Sequence, residues 1–241
     1  MNKTVVITGA SRGLGLELAK KFIAAGDTVF GISRTRKYWA VARLFEPSRK
    51  FRLMQCDVAS ESAVASLVRK IKRTAPRVDI LINNAGYCGR LMRVEETSVR
   101  DLTKHYRQNL VSAFLMCKYF IPIMKTVARP LIVNISSMAG TRAVPRLFPY
   151  SAVKFGVLAL SQAIAKENDG NLKCVTVCPG GMNTKMRADL FGREDSDRQQ
   201  EAGFVAEVTD RVIRGEIEVL SGGHIVIRHG KITGIYPPPA A

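Results

Sequence analysis

A β-branched run that ends directly in a glycine turn stands near the start of the chain, and few folds accommodate that order. Thr4-Val-Val-Ile-Thr8 has the composition of a buried strand, and Gly9-Ala-Ser-Arg-Gly13-Leu-Gly15 follows at once. Leu14, Leu18 and Phe22 then recur at helical spacing, so the sequence reads strand, glycine turn, helix. Glycines let the backbone turn sharply and approach a pyrophosphate, while unpaired N–H groups at the helix start favour an anion. Gly9, Ser11, Arg12, Gly13, Leu14 and Gly15 are therefore the expected cradle of a dinucleotide. The spacing Gly-x-x-x-Gly-x-Gly differs from the commoner Gly-x-Gly-x-x-Gly, and an ordinary tight turn is the competing reading.

The alternation continues along the chain. With 241 residues and 46% hydrophobic content, the chain is large enough for a full core, and no linker interrupts it. One α/β domain spanning 1–241 is expected. Thr28 to Ser33 is the second expected strand, and at its end, where an acid would bind the adenosine ribose of NAD, the chain has Ser33-Arg34. Arg34 and Arg12 are placed to converge on a ribose 2′-phosphate, which selects NADP(H); two surface arginines are the plain alternative. Phe51 to Cys56 leads into Asp57-Val58, where the carboxylate serves either adenine or a turn, and Ser60 is a candidate cap for the next helix. Val78 to Ile82 enters Asn83-Asn84-Ala85-Gly86, whose amides suit bracing of strand ends and whose glycine permits close ligand approach.

Helical patterning from Thr97 to about Val127 carries Asn109 in its middle, a poor helix residue that points to a kink or a functional contact. Leu131 to Ile135 is the next apolar strand, delivering Ser136 and Ser137 at its carboxyl end, where open parallel sheets place their ligands. Pro149 suits a first helical turn, and Tyr150 and Lys154 then stack one turn apart on a helix face. A nearby cation lowers a phenol from its ordinary pKa of about 10 by roughly 1–3 units, which makes it an acid or base near neutrality. Leu172 to Val177 is the sixth strand, halted by Cys178-Pro179-Gly180-Gly181-Met182-Asn183-Thr184.

The formal net charge is +17. Seven Lys/Arg and one acid fall between Arg34 and Arg52, yet basic residues also scatter along every expected helix, so a solvated basic surface is preferred to a dedicated nucleic-acid groove. Five cysteines form neither a metal spacing nor a disulfide framework, and His105, His224 and His229 show no ligand grouping, so no metal is expected. Arg12 interrupts any signal-like start, and the apolar stretch 110–124 is broken by Lys118. A soluble, cytoplasmic protein without membrane contact is the expectation.

In this order and spacing the motifs resemble the short-chain dehydrogenase/reductase family, in its shorter, oxidoreductase branch, over roughly residues 4–186. The resemblance implies a Rossmann-like, doubly wound parallel sheet of seven strands ordered 3-2-1-4-5-6-7, with helices on both faces. It implies that Thr8-Gly9-x-x-x-Gly13-x-Gly15 is the cofactor turn, Asp57 the adenine contact, and Asn83-Asn84-Ala85-Gly86 the sheet-stabilising motif. Pro179, Gly180, Met182 and Thr184 then form the nicotinamide-side loop. Asn109, Ser137, Tyr150 and Lys154 fall on the family's catalytic four. Tyr150 would exchange a proton with the substrate oxygen, Ser137 would orient that oxygen, Lys154 would hold the nicotinamide ribose and acidify the phenol, and Asn109 would hold a relay water. The cofactor carries the hydride.

Met182 stands where the family has a β-branched residue, and Arg228-His229-Gly230 replaces its usual Asp-Gly-Gly ending, with Ser221 to Ile227 as the expected final strand. The expected activity is NADPH-dependent reduction of a ketone or aldehyde, with substrate contacts from Met138 to Phe148 and a loop at about 181–203. A 3-oxoacyl reductase served by an acidic carrier protein is an alternative, for which Arg142, Arg146, Lys185 and Arg187 would line the mouth. A non-catalytic nucleotide-binding regulator is another. The family habit implies a homodimer or homotetramer, along an exposed stripe of Phe114, Phe120, Phe155 and Leu158.

Overall fold

Alternate residues of the first strand face opposite ways, and this organises the molecule. In a computed structural model that describes residues 2–35, 43, 45, 50–168 and 170–240, β1 is Thr4–Thr8. Val5 and Ile7 pack with Leu14, Leu18 and Phe22 of α1 (Gly13–Ala24) and with Val205 and Val212 of α8 (Ala202–Arg214). Val6 points to the other face, against Leu67 and Ile71 of α2 (Glu61–Thr74), Phe120 of α4 (Ser112–Met124) and Ile164 of α5 (Phe148–Glu167). A strand buried on both faces needs apolar residues at every position, which is what the Val-Val-Ile run supplies.

The remaining strands are β2 (Thr28–Ser33), β3 (Phe51–Gln55), β4 (Ile80–Asn83), β5 (Leu131–Ile135), β6 (Lys173–Pro179), β7 (His224–Arg228) and β8 (Lys231–Tyr236). They form one sheet of eight strands in the order β3-β2-β1-β4-β5-β6-β7-β8. Seven of these follow the expected parallel order. The eighth is a correction to the sequence reading: β8 returns antiparallel on β7, with Lys231 opposite Arg228. The turn between them is His229-Gly230, both with positive φ (51° and 67°), the geometry of a two-residue hairpin turn that matches strand twist. The final parallel strand also begins later than expected, because Gly222 takes a positive φ of 81° and belongs to the turn before it.

Between β4 and β5 the chain forms α3 (Val99–His105), a π-helical stretch over Tyr106–Val111, and α4 without a break. The wider turn places Asn109 inside, where it is buried, which answers the expectation of a kink. Beyond β6 lie α6 (Lys185–Phe191) and α7 (Arg193–Asp197), tied by Arg187 to Asp195 at 2.5 Å, and Met182–Asn183 pairs in parallel with Gln200–Glu201.

Two local expectations fail for physical reasons. Ser60 sits at the N-cap of α2, but its hydroxyl faces Ser62 at 3.4 Å and makes no capping bond. Phe120 is fully buried rather than exposed, whereas Phe114 and Phe155 are 46% and 44% exposed. Burying a phenylalanine stabilises by about 1.5–3 kcal/mol, so where a helix offers two rings the core takes one of them.

Candidate active site

The crest of the sheet gathers the carboxyl ends of β1, β4, β5 and β6, and each end carries one of the motifs. At β1, Gly9 and Gly13 have φ of 68° and 53°, a conformation that L side chains rarely adopt. Gly15 is required by contact rather than by dihedral: a Cβ there would lie 2.4 Å from the Gly9 carbonyl oxygen. The turn thus folds tightly onto the start of α1, and a Cβ on Gly13 would face Thr184 at 3.5 Å. The glycine turn and the loop after β6 therefore border one cleft, with Leu14 buried beneath.

At β4, Asn84 donates from Nδ2 to the Thr8 carbonyl at 2.9 Å, and the N–H groups of Asn84 and Ala85 donate to the Thr8 hydroxyl at 3.0 and 2.9 Å. Its neighbour Asn83 donates to Asn134 on β5 at 2.8 Å, Asn134 to Ser161 on α5 at 2.8 Å, and Thr176 on β6 to Ser161 at 2.7 Å. A buried polar chain thus runs under the crest, and within a low-dielectric core each of these bonds is costly to break.

At the outer strands, the Ser33 and Ser11 hydroxyls meet at 3.4 Å. Arg34 is exposed and donates to Gln108 of the π-helical stretch at 3.1 Å, and Arg12 is exposed at the N-cap of α1. Asp57 accepts from the Ala59 N–H at 3.1 Å, so it does serve a turn, and Val58 beside it packs against the core.

The catalytic candidates converge. Ser136 and Lys154 are locked together, Ser136 donating to the Lys154 carbonyl at 2.8 Å, while the Lys154 ammonium donates to the Ile135 carbonyl at 2.9 Å and lies 5.6 Å from the Tyr150 ring centre. Lys154 is only 4% exposed, and burial lowers its pKa to about 8. Ser137 lies close enough to the Tyr150 phenol to lower its pKa, and it caps the short turn after β5 through the Ala139 N–H at 3.1 Å. Asn109 accepts from the Tyr87 N–H at 3.0 Å and donates to the Tyr87 and His105 carbonyls at 2.8 and 2.9 Å. A Cβ on Gly86 would sit 3.0 Å from the Asn109 amide oxygen and 3.6 Å from the Lys154 nitrogen, so both side chains reach the same exposed glycine.

One electrostatic expectation is reversed. Burial pushes the Tyr150 phenol above its ordinary value, the nearby Cys88 adds to the rise, and the Ser137 hydroxyl opposes it. The lysine is the group whose titration moves toward neutrality, because a buried ammonium loses its hydration.

Two neighbours escaped the sequence reading. Cys88, the one cysteine of five that is not buried, lies close enough to Tyr150 and Lys154 to influence both. His105 is buried, accepts from the Gly89 N–H at 3.0 Å, and contacts the Asp101 carbonyl at 2.8 Å. Its position one turn before Asn109 was the available signal: together they clasp the loop Tyr87 to Gly89. Among the described residues no cluster of His, Cys, Asp or Glu could hold a metal, and no helix is long and apolar enough to cross a membrane.

A glycine turn at β1, a parallel sheet and a Ser, Tyr and Lys set at the crest define a dinucleotide-dependent oxidoreductase. Comparison with known proteins narrows this. The short chain dehydrogenase profile matches residues 3–195, and the chain belongs to the short-chain dehydrogenase/reductase family. It is similar to the NADPH-dependent pterin aldehyde reductase of Arabidopsis thaliana, 33% identical over 80% of this chain and 81% of that one. It is also similar to the 2-(R)-hydroxypropyl-CoM dehydrogenase of Xanthobacter autotrophicus, 30% identical over 98% and 100% of the two chains. Among solved structures, ElxO with NADP bound superposes with a TM-score of 0.83 at 27% identity, covering 94% of this chain and 96% of that one.

Proposed function

We propose that the protein is an NADPH-dependent carbonyl reductase, acting on a ketone or aldehyde through Tyr150. The grouping of Tyr150 with Ser137 and with the Lys154 ammonium, which reaches Gly86 as Asn109 does, carries this reading, because a reducible carbonyl placed there meets a proton donor and an orienting hydroxyl together. Residues 1–241 act as one unit, in which segment 181–203 borders the substrate. The cofactor supplies the hydride. Gly9, Ser11, Gly13 and Gly15 would approach its pyrophosphate, Asp57 and Val58 its adenine side, Asn84, Ala85 and Gly86 its middle, and Pro179, Gly180, Met182 and Thr184 its nicotinamide end. Ser137 would hold the substrate oxygen, and Lys154 would keep a positive charge beneath Tyr150.

Support for NADPH over NADH comes from the missing acid after β2 and from the exposed guanidiniums of Arg12 and Arg34 at that edge. Arg34 uses one nitrogen on Gln108, and its planar fork has further donors for a phosphate. Arg34→Asp is expected to erase most of a ten- to hundredfold preference for NADPH, since a charge-assisted bond to phosphate contributes roughly 1.5–3 kcal/mol. Steady-state kinetics with both cofactors measure it, and equal or better use of NADH by the parent protein would sink the assignment.

The alternative of a carrier-bound 3-oxoacyl substrate loses support on the rim. Lys185 pairs with Asp189 at 2.7 Å and Arg187 with Asp195, so two of the four cations expected to greet an acidic carrier are already neutralised. Assembly as a dimer or tetramer through the exposed Phe114 and Phe155 completes the reading. Light scattering at micromolar concentration is expected to give a multiple of 26.5 kDa, and a monomer mass would refute it.

A further inference from the structure

One residue past Ser137 the chain borders an opening that contains none of the four catalytic candidates. It is a cavity of about 450 Å³ between the turn after Ser137 and the β7–β8 hairpin, the size of a small-ligand site. One wall is Met138, Thr141 and Arg142, which directly continue the chain from Ser137. The other is His224, Arg228 and Tyr236 with their neighbours, and among the described residues no carboxylate lines either wall.

Each wall brings one arginine to the groove. Among the described residues, Arg142 makes only a 3.5 Å contact with the Met138 sulfur, and Arg228 only a 3.4 Å contact with the His229 ring. Neither forms an ion pair there, whereas Lys185 and Arg187 on the same rim do. The Arg228 stem passes close over Gly180, where a Cβ would lie 2.9 Å from its Cγ.

The aromatic wall is equally fixed. The His224 and Tyr236 rings stack with centres 4.8 Å apart and planes 16° apart. Tyr236 can lie flat because Gly234 is beneath it, where a Cβ would come within 2.5 Å of the ring. Burial keeps His224 below its ordinary pKa, so at neutral pH it offers a flat neutral face and not a third charge.

We propose that this groove is a subsite for an oxyanion on the carbonyl substrate, a carboxylate, sulfonate or phosphate, held by Arg142 and Arg228, with the adjoining part of the substrate lying against His224 and Tyr236. Guanidinium forks match oxyanions in geometry, and a concave groove of this size selects a small molecule over a protein surface. The proposal deepens the carbonyl reductase reading and rests on it. Because Arg142 is exposed, the lower end of the range for charge-assisted bonds applies, about tenfold in affinity.

The test uses matched substrates, each keto acid against its methyl ester, with NADPH fixed. The parent enzyme is expected to favour the acid by about tenfold or more in kcat/KM. In the Arg142→Gln/Arg228→Gln double variant, which keeps both stems, the acid-to-ester ratio is expected to fall close to one. Equal use of acid and ester by the parent, or a preference that survives the double variant, overturns the subsite. A binding arm needs no turnover: calorimetry with benzoate is expected to show binding to the parent, with benzamide and the double variant showing none at the same millimolar concentration. Absence of benzoate binding to the parent overturns the subsite. If benzoate binds in this pattern while no ketone is reduced, the subsite stands and the reductase reading falls.

Discussion

Tyr150→Phe is expected to reduce turnover by about 10²–10⁴-fold, the usual scale for a lost general acid, while NADPH still binds. The ring remains, so its packing is kept, and only the proton is removed. Fluorescence titration of NADPH and steady-state turnover, measured on the same preparation from a host lacking the parent enzyme, separate binding from chemistry. Near-normal rates from the variant would defeat the mechanism and leave the fold untouched. Burial holds the phenol above its ordinary pKa, so it stays protonated throughout the working range. An alkaline loss of reduction is therefore expected to come from another group.

That group is expected to be Lys154. Its buried ammonium has a pKa lowered to about 8, so charge is present below that pH and lost as pH rises through it. Carbonyl reduction is expected to decline along the same limb, and Lys154→Met is expected to remove the limb while lowering cofactor affinity and turnover together. Loss of turnover with unchanged NADPH affinity, or an alkaline limb that persists in the variant, would contradict the assignment. Unfolding does not account for the loss. Between pH 8 and 10.5 the unfolded chain binds more protons than the folded one, so the lysine's burial costs stability below about 8 and that cost fades as pH rises. Methionine relieves this cost but strands the Ile135 carbonyl, which now accepts from Lys154. The two effects oppose each other, and the melting temperature at neutral pH is expected to move little.

Much of the site was legible because its chemistry is local in sequence. Strands β1, β2 and β5 begin and end where their β-branched runs do, and the spacing from Ser137 to Tyr150 to Lys154 survives folding because one strand end and one helix start carry it. Asn109 was readable as an anomaly in a helix. What the sequence hid depends on tertiary partners. The final strand was missed because Arg228-His229-Gly230 was weighed against a familial ending and not as a hairpin turn, although the run Lys231 to Tyr236 is rich in β-branched and aromatic residues. The direction of the tyrosine shift was missed because spacing predicts proximity to a cation but not desolvation. Arg228 entered no list of substrate contacts, since only the return of β8 and the approach to Gly180 aim it at the groove.

The π-helical stretch over Tyr106–Val111 bears on how this chain tolerates change in length. A π turn contains one residue more than an α turn would, so the segment from α3 to α4 already holds a surplus residue. Removing one residue within it would complete a regular helix, whereas the same deletion almost anywhere else in a helix shifts everything that follows by about 100°. The turns of α3 and α4 would join as one regular helix, while Asn109 and His105 would lose their common grip on the loop from Tyr87 to Gly89. A one-codon deletion here is thus a route by which descendants of such a gene could keep the folded scaffold and shed the proposed role of Asn109.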